Sequence, residues 1–231
     1  ADVSEEMTEL VAGLQNDEHH HVVLVQGTGD NFCLGSFNPK IRASMTKRDI
    51  VEFVINLNLI LDRFEMLPQI TIAALNGPAH GSGVEFSMAC DIRYVSTTAH
   101  IGFPEADMGG FPGAGGPVRL PSLVGAARAM ELICTGREVV PEEMKAIGFA
   151  QDVIEADVFD ASVTEIATKI SLKGPLALRG TKRLVRARTA PGFAESRMLS
   201  DELRRSLEWS EDVDEALSAY KEGRRPAFKG R

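Results

Sequence analysis

The chain has 231 residues, 44% of them apolar and 25% charged, which is material for one larger domain or one domain with an appendage, and for a sizeable core. A formal charge of −8 argues against a nucleic-acid binder, whose electrostatic footprint is basic, and no apolar run approaches the roughly 18 residues that cross a membrane. Cys33, Cys90 and Cys134 form neither a C-x-x-C pair nor a disulfide framework, and Asp2, Glu5 and Glu6 do not make a secretory leader, so a reducing, cytoplasmic setting is expected.

In chain order, Met7, Leu10, Val11 and Leu14 recur at helical spacing behind Ser4 and predict an amphipathic helix over Val3–Leu14. Val22-Val23-Leu24-Val25-Gln26-Gly27 is a continuous β-branched run closed by glycine and reads as a buried strand of a parallel sheet. His19-His20-His21 reads as a polar turn, because three adjacent side chains do not converge on one ion. Gly27-Thr28-Gly29 lacks the third glycine of a dinucleotide loop and reads as a strand-ending turn.

Asp49 to Leu67 places Ile50, Phe53, Val54, Leu57, Ile60, Leu61 and Phe64 on one helical face and stops at Pro68. Ile70–Leu75 and Asp91–Ser96 read as further strands, so the alternation predicts an α/β core with right-handed crossovers. Beyond Gly116 the pattern predicts helices over Ala126–Thr135 and Pro141–Gly148, a short strand at Asp152–Glu155, and a helix carrying Val163, Ile166, Ala167 and Ile170. Past Gly174-Pro175 it becomes wholly helical, with a basic stretch (Arg179 to Arg188) before an acidic one (Glu208 to Glu215). The chain therefore divides into a core, residues 1–173, and a helical region, residues 174–231.

The most informative stretch runs from Asn76 to Gly116, where two glycine-rich turns each deliver a glutamate. Glu85 follows Gly81-Ser82-Gly83 and opens a helix, whose first N–H groups lack intrahelical partners and suit an anionic oxygen; Ser82 is a candidate cap. Glu105 follows Phe103-Pro104 and precedes a run with five glycines between 109 and 116, an unusual place for a helix-face charge. Both glutamates sit beside glycine turns at strand ends, where ligands gather in open α/β sheets. A nucleophile elbow, a phosphate loop and metal-ligand spacing are all absent from the sequence.

Three stretches make the chain similar to the crotonase superfamily, the enoyl-CoA hydratase/isomerase family: Val22 to Gly35 ending Asn31-Phe32-Cys33-Leu34-Gly35; Asn76-Gly77-Pro78-Ala79 through Glu85 to Cys90-Asp91-Ile92-Arg93; and Phe103-Pro104-Glu105 through Gly116 to Arg119-Leu120-Pro121 and Gly125. Further echoes are Glu131 to Arg137 and Tyr220 to Phe228. The likeness runs over essentially the whole chain and leaves the family's N-terminal strand pair ahead of Ala1.

The resemblance implies an α/β fold, a crotonase-type ββα spiral core with a helical C-terminal trimerisation region, assembled as a homotrimer or dimer of trimers. It implies an acyl-CoA thioester as substrate, with no permanently bound cofactor and no metal. By motif position Glu85 and Glu105 are the catalytic pair, the oxyanion-hole N–H donors fall at Ser36 and Ser82, and Gly113 helps hold the water. Leu34, Ser36, Tyr220 and Arg224 line the coenzyme A site, the last two from a neighbouring subunit, and His80, Phe103 and Phe111 border the acyl pocket.

The implied reaction is syn hydration of a 2-enoyl-CoA or its reverse. The alternatives are double-bond isomerisation, C–C hydrolysis through the same hole, or a non-catalytic acyl-CoA-binding or RNA-binding homologue, the last disfavoured by the acidic charge. The sequence departs from the family at Phe37-Asn38, where an acidic residue is usual, and at Ser82, where glycine is usual. Phe103 stands for a commonly polar residue and His80 for an aliphatic one. A backbone donor survives at Ser82 provided that the turn does not demand a positive φ there.

Overall fold

The β-branched runs pair as one parallel sheet in the order β1-β2-β4-β6, where β1 is Val22–Gln26, β2 Ile70–Leu75, β4 Ile92–Ser96 and β6 Asp152–Ile154. This is a computed structural model, and it describes residues 3–36, 44–189, 198, 201–202, 205 and 208–227. The register sets Val22 opposite Ile70, Ile72 opposite Ile92 and Tyr94 opposite Asp152. The central strand β2 is almost wholly buried, whereas β1 is an edge strand and only half-buried, which corrects the expectation of a buried strand there. Its apolar run alone does not distinguish an edge from a centre.

The crossover from β1 to β2 is α2 (Lys47–Glu65), following α1 (Val3–Gln15). A capping box starts α2: Thr46 Oγ1 accepts from the Asp49 N–H at 3.1 Å, and the Asp49 carboxylate accepts from the Thr46 N–H at 3.1 Å. Such a cap contributes about 1 kcal/mol. Leu57, Ile60, Leu61 and Phe64 of α2 enter the main core, and a fully buried side chain of this kind contributes about 1.5–3 kcal/mol. Phe64 meets Phe86 edge to face, with ring centroids 5.1 Å apart, and so fixes α3 (Ser82–Ala89), the helix that carries Glu85.

The Cys90-Asp91-Ile92-Arg93 motif is a fastening. Arg93, buried, donates from Nε to the Phe149 carbonyl at 2.7 Å and from a terminal nitrogen to the Cys90 and Ser87 carbonyls, closing the C-terminal end of α3. Burial pushes its guanidinium down to about 10, so it stays charged at neutral pH. The Asp91 carboxylate accepts from the Thr71 N–H of β2 at 2.9 Å and pairs with Lys182 and Arg186 of α8 (Pro175–Thr189). Arg186 also pairs with Glu65, which Arg119 holds from the other side at 2.8 Å.

Thus the first helix beyond residue 174 is seated on the core by one buried cation, Lys182, and one half-buried cation, Arg186. Ion pairs like these recover most of their desolvation cost but little more, so they set position rather than supply net stability. No helix among the described residues is long and apolar enough to cross a membrane.

Candidate active site

A second, two-stranded parallel sheet, not anticipated from the sequence, organises the site. It pairs β3 (Ala79–His80) with β5 (Ile101–Gly102) through Ala79 N–H to the His100 carbonyl at 2.9 Å and Gly81 N–H to the Gly102 carbonyl at 3.0 Å. Parallel strands send their chains out at one end, and both glutamates follow: Glu85 on α3, Glu105 on the 3-10 turn Pro104–Met108. They therefore lie past the ends of this small sheet. A cleft at the C-terminal ends of the main sheet, lined by Gln26, Gly29, Asn76 and Ser96, includes neither glutamate.

Segment 31–36 runs beside β3, where the Phe32 N–H reaches the Pro78 carbonyl and the His80 N–H reaches the Cys33 carbonyl, both at 3.0 Å. Glycine is required for so close an approach. A Cβ on Gly83 would stand 2.0 Å from the Cys33 carbonyl oxygen, and one on Gly35, at φ +82°, would stand 2.5 Å from the His80 oxygen. Positive φ is carried by Gly35 and Gly81, and no described non-glycine residue has it, so Ser82 sits in the turn without that strain.

Ser82 does not cap α3; the cap position is Gly81, with no side-chain bond. Instead the Ser82 hydroxyl turns to the Gly35-Ser36 loop, where its Oγ accepts from the Ser36 N–H at 2.7 Å and donates to Ser36 Oγ at 3.0 Å. The two residues expected to supply oxyanion donors are thus neighbours, but the Ser36 N–H is engaged by the Ser82 side chain. The Ser82 N–H belongs to the first turn of α3, where no intrahelical acceptor exists.

Glu85 is 1% exposed, and its Oε1 accepts from the Gly116 N–H at 2.7 Å. Gly116 is the first residue of α4 (Gly116–Val124), so the carboxylate meets a helix N-terminus, a favourable place for negative charge. Glu105 is 8% exposed and lies against Gly81, where a Cβ would come within 2.4 Å of its Oε1. The site therefore brings together Ser36, Gly81, Ser82, Glu85, Glu105 and Gly116.

The Gly113 carbonyl accepts from Asn58 Nδ2 at 2.6 Å, which pins the glycine-rich loop to α2. Phe103 is fully buried in the main core and Phe111 is half-buried, while the His80 ring turns towards His100 at 5.4 Å between centroids. Burial, and then the charge of His100, hold the His80 imidazole below its usual range.

Leu34 and Tyr220 are each 53% exposed. Tyr220 lies on α9 (Glu211–Glu222), which packs against the Glu105 turn of its own chain. The Arg224 guanidinium is already held by Glu215 and Glu222. Phe37 and Asn38 lie outside the described residues. Gly116 and Asn58, which anchor the site, were not anticipated, since each acts 31 or 55 residues away in sequence.

The family model described as enoyl-CoA hydratase/isomerase matches residues 1–231. The chain belongs to the enoyl-CoA hydratase/isomerase family. It is 34% identical over 218 residues to the enoyl-CoA isomerase/hydratase fer4 of Mycosarcoma maydis, covering 94% of this chain and 79% of that protein. It is 31% identical to the short-chain-enoyl-CoA hydratase of Clostridium acetobutylicum, covering all of this chain and 89% of that one. The solved enoyl-CoA hydratase of Bacillus anthracis superposes with a TM-score of 0.78 at 33% identity, covering 99% of this chain and 88% of that one.

The parallel sheet with its many helices is accordingly the crotonase fold. As a member of an enoyl-CoA hydratase/isomerase family the chain is an enzyme, and the family's substrates are coenzyme A thioesters.

Proposed function

We propose that the chain catalyses reversible addition of water to a 2-enoyl-CoA. The observation that carries this reading is the convergence, on the Gly81-Ser82 turn, of the Ser36 loop and the Glu105 carboxylate, with Glu85 one helical turn further on and fixed by the Gly116 N–H. The thioester oxygen enters between the Ser36 and Ser82 N–H groups, which stabilise the enolate as the oxygen of water adds at the β-carbon. Glu85 orients the water and takes its proton, Glu105 delivers a proton to the α-carbon, and the roles reverse in dehydration. The proton gained by Glu85 passes to solvent and Glu105 regains one from solvent, so the net reaction consumes only the enoyl thioester and one water.

Leu34, Ser36, Tyr220 and Arg224 are proposed to face coenzyme A, and His80, Phe103 and Phe111 to bear on the acyl group, Phe103 by shaping the core behind it. A homotrimer or dimer of trimers in the cytoplasm completes the reading. Exposed Leu172, Leu176 and Leu184 in or beside the C-terminal region suit such an assembly.

With crotonyl-CoA the conjugated thioester absorbance is expected to fall as 3-hydroxybutyryl-CoA appears, from a species sedimenting at a multiple of three chain masses. Turnover only of a 3-enoyl-CoA would replace hydration by isomerisation, and a stable monomer would refute the assembly.

For the oxyanion oxygen to reach the Ser36 N–H, the Ser82 hydroxyl must rotate away. A hydrogen bond of this kind has a net worth of about 0.5–1.5 kcal/mol, so Ser82→Gly is expected to raise kcat/KM for crotonyl-CoA by about 2- to 10-fold. A fall of about 100-fold would instead make the hydroxyl itself a donor to the transition state.

A further inference from the structure

Three side chains that take no part in the proposed proton transfers meet beside the small sheet. Nε2 of His80 and Nε2 of His100 lie 3.6 and 3.4 Å from the same oxygen, Oε1 of Glu138. The three donor atoms all fall within 4.8 Å of one another. We propose that His80, His100 and Glu138 bind a divalent transition-metal ion of the zinc class.

The distances carry the first part of the argument. With Zn–N and Zn–O bonds near 2.0–2.2 Å in a tetrahedron, neighbouring donor atoms stand about 3.3 Å apart, so both imidazole–carboxylate separations are already within a few tenths of an ångström of that value.

The frame carries the second. His80 is on β3, His100 directly precedes β5, and Glu138 directly precedes Val139, which bridges to Ile101. Backbone bonds lock the three segments side by side: Ala79 N–H to the His100 carbonyl, and Ile101 and Val139 to each other at 3.1 and 2.9 Å. One ligand is therefore on a strand, and the other two each stand one residue before a backbone-paired position.

The chemistry carries the third. Two imidazoles and one carboxylate are a borderline set that suits zinc better than magnesium or calcium. Arg137, next in sequence to Glu138, does not compete for its carboxylate because Glu131 and Glu143 hold the guanidinium. The imidazoles are 29% and 32% exposed and the carboxylate 62%, which gives the ion a way in and leaves a fourth position for water. Since His80 directly precedes Gly81, the ion would brace β3 and β5 where they feed the two glutamates. This is a bracing role, outside the proton transfers proposed above.

The test is titration of the chelator-dialysed full chain with zinc chloride, followed by calorimetry, with cobalt(II) chloride as a spectroscopic probe. One equivalent is expected to bind per chain, and cobalt is expected to show a ligand-field band in the visible. Glu138→Gln and His100→Asn are each expected to weaken zinc binding at least tenfold while the circular dichroism of the fold is kept. His20→Asn is the control, because His20 pairs with Asp17 at a separate exposed site. Absence of saturable binding to the parent would overturn the proposal. So would binding that survives both ligand changes, or that is lost in His20→Asn, since the ion would then sit on the His19-His20-His21 turn.

Discussion

Replacing Glu105 by glutamine is expected to lower kcat for crotonyl-CoA hydration by about 10²- to 10⁴-fold, the usual loss when a positioned proton-transfer group is removed. KM and the unfolding midpoint are expected to stay close to those of the parent. The amide has the shape of the carboxyl, so the contact with Gly81 and the packing of the 3-10 turn survive, while the group can no longer exchange a proton with the α-carbon. Glu85→Gln should behave alike, because its amide oxygen still accepts from the Gly116 N–H. Steady-state kinetics beside thermal melts check both. A Glu105→Gln enzyme that turns over at the parent rate would remove Glu105 from the chemistry.

The second large effect is expected at Gly83, where an added methyl group would meet Cys33 first. A methyl group there would stand 2.0 Å from the Cys33 carbonyl oxygen and 2.8 Å from the Cys33 carbonyl carbon and Cβ. Backbone cannot swing aside as a side chain does, and this carbonyl is also the acceptor for the His80 N–H. Gly83→Ala must therefore push the 33–36 segment off α3.

Overpacking of this kind costs about 1–3 kcal/mol, read as a lower urea midpoint. Because the Ser36 N–H moves with the segment, kcat/KM is expected to fall by about 10²- to 10³-fold, the loss of one oxyanion donor. Gly13→Ala is the control. It lies in α1 with nothing within 4 Å of the added methyl, so it should leave activity alone and add up to about 1 kcal/mol of stability. Equal effects of the two changes would refute the close-approach argument.

What the sequence made legible and what it hid follow from how each feature is written. Long periodic elements were plain: the apolar face of α2 and the β-branched strands β2 and β4 appear within a residue or two of where they were expected. Two-residue strands have no period to read, so β3 and β5 stayed inside what looked like glycine-rich turns, although their pairing explains why Glu85 and Glu105 converge. Helix α4 was hidden by Pro117 and Pro121; the first sits in the opening turn, where a missing N–H costs nothing.

Glu85 and Glu105 were identifiable from local glycine context and motif position. Their anchors were not, because the Gly116–Glu85 and Asn58–Gly113 bonds join residues that only the fold makes neighbours. The identity of Ser82 was visible as a departure from the family. The direction of its hydroxyl, into the Ser36 N–H rather than onto the helix it begins, depends on a loop 46 residues away. His80 was likewise visible as a departure from the family, but its neighbours His100 and Glu138 were not, because only the small sheet sets the three side by side.

The central claim is that Glu105 moves a proton at the carbon next to a thioester whose oxygen is held by the Ser36 and Ser82 loops. It is tested most directly by incubating the enzyme with saturated butyryl-CoA in deuterium oxide and following the α-protons by NMR. The parent is expected to exchange them and Glu105→Gln to leave them in place, with Glu85→Gln retaining exchange because no water is added. Exchange at equal rates in the parent and Glu105→Gln, or none in the parent while crotonyl-CoA is hydrated, would contradict it.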